Sequence, residues 1–360
     1  MLVYLLNILS LIIYLYIYIH SKNKNKLKKI LIFLIVMQFT LIQGLRSFEI
    51  GSDTSKYIQY YEYIKNGDFT FFELLLNPPL NFEFGYLAFM KICALFNLTS
   101  RFFLIVVSLV INALIGRYIY KESDDFILSF WIFIGIEFFT LSFTMIRQMI
   151  AIGIILNAYI CLESKNYKMY FLLNILASLF HKTALIFIII FFYQIIKDKI
   201  KKNYPKFEIT VVNKIFIILV TMFIVAFCLG DIISFVAHIF YGYYHFSKSS
   251  IGFLWVVMMG ILGLFLIIEK KSNKTDKLVN YEMFIFIAAT FQLMTIHISQ
   301  FSRATFYFYI FTITSLPYAI TLIKNRNIRR FLKCSIYILT FIQYIFFSMN
   351  IYNLVPYKIF

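Results

Sequence analysis

The sequence predicts an all-α polytopic integral membrane protein, a bundle of 10–13 transmembrane helices with a short helical loop on its outer face. Three observations predict it. Hydrophobic residues make up 61% of the 360 and charged residues only 14%, too little charge to cover a soluble protein of this length. Apolar stretches of roughly 20 residues, the length of one span, recur along the chain. The 34 Lys and Arg, set against 17 Asp and Glu, bunch in the gaps between those stretches. Twelve Gly and five Pro exclude a collagenous or disordered chain. A net charge of +17 on a soluble protein would suggest nucleic acid. Here it reads as topology, and no nucleic-acid partner is expected.

The apolar segments fall at 1–19, 28–45, 101–118, 126–143, 146–163, 167–181, 182–197, 211–234, 251–268, 281–298, 303–323 and 331–351. The first has no positive region before it and no small-residue cleavage site, so it reads as a retained span. Basic residues crowd the gaps 20–30, 197–214, 269–280 and 324–333, and smaller basic gaps lie at 117–125 and 163–168. Twelve spans put all six gaps on one side. That side is then cytoplasmic by the positive-inside rule, with both termini outside. Segments 167–181 and 182–197 are short for spans and could form a hairpin that crosses in part. Residues 83–99 fit a short span, a re-entrant helix or an interfacial helix. No internal repeat is evident, so residues 1–360 are expected to form a single membrane domain. Cys93, Cys161, Cys228 and Cys334 each stand alone in apolar sequence and read as small buried hydrophobes.

The longest outer segment, 46–100, is expected to carry surface or re-entrant helices. Its first part holds Arg46, Lys56 and Lys65 against Glu49, Asp53, Glu62, Asp68, Glu73 and Glu83. This is the reverse of the four large basic gaps. The stretch 53–64 fits a surface helix with Asp53, Tyr57, Tyr60 and Ile64 on one face. Ser52 or Asp53 could serve simply as its cap. Arg147 lies just inside the outer end of a span, where it must face a cavity, pair, or snorkel to the interface. His181-Lys182 sits at an outer tip, where a lone His is commonly a hydrogen-bonded structural group. Arg303 occupies another outer end, with His297 before it. Four separate regions thus bring polar groups to one side. Clustered Arg and Lys in a low-dielectric setting bind phosphate well. A neighbouring carboxylate can act as general base toward a sugar hydroxyl. That combination suits a lipid-pyrophosphate sugar donor.

At these residues the chain resembles a known family. Arg46 followed by Gly51-Ser52-Asp53-Thr54 and Tyr57 is similar to an R…G-T-D-T-x-x-Y element. Phe82-Glu83-Phe84-Gly85-Tyr86 is similar to E-P-G-[YF], with Phe84 in place of Pro. Arg147-Gln148 with Ala151 resembles R-Q-x-x-A. Ala177 through Phe180-His181-Lys182-Thr183-Ala184 resembles A-x-x-F-H-x-[ST]-A, and Ser302-Arg303 resembles a weaker last element. In this order the elements resemble the EpsG family of bacterial exopolysaccharide proteins, related to the Wzy class of O-antigen and capsule polymerases. The resemblance implies a glycosyltransferase of the bacterial cytoplasmic membrane. It would join undecaprenyl-pyrophosphate-linked oligosaccharide repeat units on the periplasmic or extracellular face. No metal and no cofactor are implied. The bilayer is the surrounding partner, and a chain-length regulator and a flippase are candidate protein partners. In this reading Arg147 and Arg303 bind pyrophosphate, and His181 binds phosphate or relays a proton. Asp53 or Glu83 positions or deprotonates the acceptor hydroxyl. Arg46 pairs with Asp53 or holds sugar; Tyr57, Gln148 and Lys182 complete the binding site. Three alternatives stand beside it: a flippase or exporter of lipid-linked sugars, a metal-dependent lipid-linked glycosyltransferase using Asp53 and Glu49, and an accessory subunit. A flippase would place charge at mid-membrane, and the span centres here look nearly charge-free.

Overall fold

The structure is a computed structural model, and it describes residues 2–204, 210–225, 252–271, 275–348 and 354–359. The protein is an all-α, multi-pass membrane bundle. Among the described residues, five helices are long and apolar enough to cross a membrane: Leu2–His20 (α1), Lys24–Gly44 (α2), Ser100–Glu122 (α6), Ile146–Glu163 (α9) and Gly252–Lys271 (α13). Between the second and third lie three shorter helices, Thr54–Asn66 (α3), Phe71–Leu76 (α4) and Phe84–Leu95 (α5). Packing divides the chain into two compact units, residues Met1–Leu185 with Arg330–Phe360, and Ile186–Arg329.

In the first unit, α2, α6 and α9 form the centre, packed side by side. Their mutual faces carry Ile35, Phe39, Val107, Ile111, Ile115 and Ile155, all buried. Small residues permit the close approaches. A side chain on Gly44 would meet the Ile105 backbone at 2.9 Å. One end of the unit is basic. Lys28 Nζ reaches Ser123 O at 3.4 Å, and Lys333 pairs with Asp125. The gaps 20–30, 117–125 and 324–333 therefore share one end. At the opposite end Tyr4 Oη donates to Leu354 O at 2.9 Å, and Ser47 N to Lys358 O at 2.9 Å. The beginning of α1 and the segment 354–359 thus lie with the acidic loop, in agreement with the alternation of charge.

Three expected segments take definite form. Arg101, at the start of α6, donates to Gly44 O at 3.0 Å and also to Arg46 O. The chain comes back to the point it left, so residues 46–99 make no net crossing. Helix α5 has 12 residues and a length of about 18 Å, too short for a span. Residues 167–181 become Tyr167–Phe180 (α10), packed along α9 and returning to the level where α9 begins. The expected span 126–143 is broken into Phe126–Gly135 (α7) and Phe138–Leu141 (α8). Glu137 sits at the break with φ of 75° and accepts a hydrogen bond from Gln343 at 3.3 Å. It is a carboxylate well inside an apolar segment, so the span centres are less free of charge than the sequence suggested.

The second unit begins within a 3-10 turn, Lys182–Ile188, that leads into Ile189–Asn203 (α11). It continues with Val211–Phe223 (α12), α13, Asp276–Met294 (α14), Phe301–Tyr309 (α15) and Thr312–Thr321 (α16). The expected span 303–323 is therefore two helices meeting at Ile310-Phe311. Lys214 bridges Glu269 at 2.5 Å and Glu282 at 2.7 Å, tying α12, α13 and α14 together. Arg326–Gln343 (α17) leads back to the first unit. The stretch of 211–234 beyond 225, the start of 251–268, the end of 331–351 and Cys228 lie outside the described residues. Of the other cysteines only Cys93 is buried; Cys161 is half-buried and Cys334 exposed. The expectation of buried cysteines is corrected for those two.

Candidate functional site

The loop 46–54 is shaped by one glycine and one arginine. Gly51 has φ of 89°, a conformation L side chains rarely adopt. A side chain there would also meet Phe143 O at 2.7 Å. Around this turn the Arg46 guanidinium is 1% exposed. It donates to Gln43 O, to Ile50 O at 3.2 Å, to Thr54 Oγ1 at 3.2 Å and to Phe143 O at 2.9 Å. Burial pushes its pKa down to about 9, opposed by Tyr4 and Tyr357, so it stays charged at neutral pH. Arg46 is a latch between the loop and the start of α9. Its donors are used on the protein's own oxygens, which corrects the pairing with Asp53 weighed from the sequence.

Asp53 sits at the N-cap of α3, yet its side chain makes no capping bond. The cap reading is corrected accordingly: among the described residues this half-buried carboxylate has no hydrogen-bond partner. One turn on, Tyr57 turns inward at 7% exposure and packs against Phe82 and Tyr86, each with ring centroids 5.7 Å away. Tyr60 meets Phe82 edge-on at 5.0 Å.

Glu83 precedes α5 and is held between two elements distant in sequence. Its Oε2 pairs with Arg147 at the start of α9. Its Oε1 accepts from the main-chain N–H of Lys182 at 3.2 Å. The Arg147 guanidinium lies over the Phe82 ring at 4.1 Å, the ring against which Tyr57 packs. Its Nε is buried without a hydrogen-bond partner among the described residues. Arg147 thus pairs rather than snorkels. Gly85 allows α5 to approach α10, since a side chain there would meet Leu179 O at 2.7 Å. His181 ends α10 in extended conformation. It is 6% exposed and its Nδ1 lies 2.6 Å from Thr183 Oγ1. Lys182 beside it is exposed, and its ammonium has no ion-pair partner among the described residues.

Seven of the nine expected site residues, Arg46, Asp53, Tyr57, Glu83, Arg147, His181 and Lys182, are thereby joined through four neighbouring segments of the first unit. Gln148, expected to bind substrate, is 3% exposed and engaged inside the protein. Arg303 belongs to the second unit and is exposed in the first turn of α15. Glu49 is exposed and reaches Lys358 Nζ at 3.4 Å.

The model of the EpsG family matches residues 29–359. The chain belongs to the EpsG family. No curated protein and no solved structure matches it. Membership points to a polysaccharide-polymerase type of role for this multi-pass membrane protein. Within this EpsG chain, the elements around Asp53, Glu83, Arg147 and His181, scattered over more than 120 residues, meet at one place. Phe82 and Tyr86, at the centre of that meeting, were not singled out from the sequence as site residues. In a chain with 44 Phe and 27 Tyr, an aromatic residue at one position carries little signal.

Proposed function

We propose that this EpsG-family protein joins undecaprenyl-pyrophosphate-linked oligosaccharide repeat units on the outer face of the bacterial cytoplasmic membrane. The observation that carries the reading is the Glu83–Arg147 pair under Phe82, with the free Lys182 ammonium and the free Asp53 carboxylate belonging to the segments joined there. A guanidinium held by one carboxylate and one ring keeps its orientation and retains donors for a phosphate oxygen. Arg147 and Lys182 would hold the pyrophosphate and stabilise it as it leaves. Glu83, engaged through both oxygens, is better suited to positioning Arg147 than to taking a proton. Asp53, with no side-chain hydrogen-bond partner among the described residues, is the better general base toward the acceptor hydroxyl. His181, fixed by Thr183, would orient the turn that presents Lys182.

Purified Arg147→Ala in a bilayer is expected to lose at least about a hundredfold in repeat-unit extension, the scale of removing one transition-state donor. Extension at the unaltered rate would sink the pyrophosphate-clamp reading. Deleting the gene separates a polymerase from a flippase: single repeats still reach the surface in the first case and none do in the second.

A further inference from the structure

The segment 354–359 touches the site loop at several points that the proposed reaction does not use. Leu354 is fully buried, and its carbonyl accepts from Tyr4 Oη at 2.9 Å. The Tyr357 hydroxyl donates to Ile42 O at 2.8 Å, at the end of α2. Tyr4 and Tyr357 meet edge to face at 5.5 Å. Lys358 O accepts from Ser47 N at 2.9 Å, and Ile359 bridges Arg46 in an antiparallel pairing. These contacts surround the residue that latches the loop. Arg46 in turn holds Ile50 O and Thr54 Oγ1, the groups that set where α3 begins. Asp53 heads that helix, and Tyr57 one turn later packs against Phe82, the ring that carries Arg147.

We infer that residues 354–359 form a strap that positions the Asp53 end of α3 for catalysis, with Tyr357 as its anchoring residue. The strap touches no residue to which a chemical role is assigned. It acts through Arg46 and the turn at Gly51. The inference rests on the proposed function for its catalytic consequence, but the mechanical link stands on geometry alone. A loop held at both ends has fewer conformations to lose when substrate binds, and its carboxylate stays within reach of the acceptor.

The experiment compares the full chain, Tyr357→Phe, and a chain ending at residue 353, each in lipid nanodiscs. Amide hydrogen exchange over residues 46–56 and repeat-unit extension are both read. Tyr357→Phe removes one hydroxyl and leaves the ring packing. It is expected to speed exchange of 46–56 about tenfold, leave exchange in α9 unchanged, and lower kcat several-fold with little change in KM. Tyr357→His, which restores a donor on a ring, is expected to recover part of kcat. The truncated chain should show the larger effect. Unchanged exchange over 46–56 in both variants overturns the strap. Faster exchange with undiminished kcat overturns its catalytic role. If Arg147→Ala also extends repeats at the full rate, the proposed function has failed instead, and the exchange result still decides the strap.

Discussion

Arg147 and Glu83 show why a charged residue near the end of a membrane helix needs a partner. Their side chains are 18% and 12% exposed, so neither is fully hydrated. Removing one partner leaves the other desolvated and alone, which costs more than the pair itself contributes. Glu83→Ala is therefore expected to destabilise by about 1–3 kcal/mol. Glu83→Gln, which keeps an acceptor for Arg147, should cost less. A double-mutant cycle of Glu83→Gln with Arg147→Gln, read by thermal unfolding in detergent, should show coupling of about 1 kcal/mol or more. Additivity of the two would mean that the pair contributes no coupling to stability. Arg46 is a contrast. Its type and its place before Gly51 were legible in the sequence, but its role was not. The sequence cannot say that four oxygens converge on one guanidinium, because they come from residues 43, 50, 54 and 143.

At the scale of elements, the short helices set the site's shape. Helix α5 lies at the loop's end of the unit because α6 starts where α2 stopped. Helix α10 brings His181 back to the beginning of α9. The two meet at Gly85, where the neighbour is a main-chain carbonyl that cannot swing aside. Gly85→Val is expected to destabilise by about 1–3 kcal/mol through overpacking. It should also reduce extension by moving Glu83 away from Lys182, as measured by melting temperature and by kinetics in one preparation. A variant that is as stable and as active as the unaltered protein would show that this approach is not needed. The breaks in the expected spans 126–143 and 303–323 were not legible. Hydropathy averages over a window and is blind to a backbone break such as that at Glu137, which lies in apolar sequence on both sides.

For the molecule as a whole, the excess of positive charge separates into two parts. Twenty-four of the 34 Lys and Arg fall in the six gaps assigned to one side. The few near the acidic loop include Arg147 and Lys182. The orientation this implies is testable by labelling from outside the cell with a membrane-impermeant maleimide. Ser52→Cys is expected to react in intact cells, and Lys26→Cys only after permeabilisation. The opposite pattern would place the site on the cytoplasmic face and end the outer-leaflet reading.

The sequence by itself determined the helical membrane class, the bunching of charge and the residues from which the site is built. These depend on composition and local spacing, because partition between lipid and water sums over neighbouring residues. Only the tertiary structure decided that residues 46–99 return without crossing, that Arg46 is a buried latch, and that the Asp53 side chain does not cap α3. It alone joined Glu83 to Arg147, 64 residues apart. An ion pair depends on distance in space, and nothing in the order of the chain encodes that distance until the helices have packed.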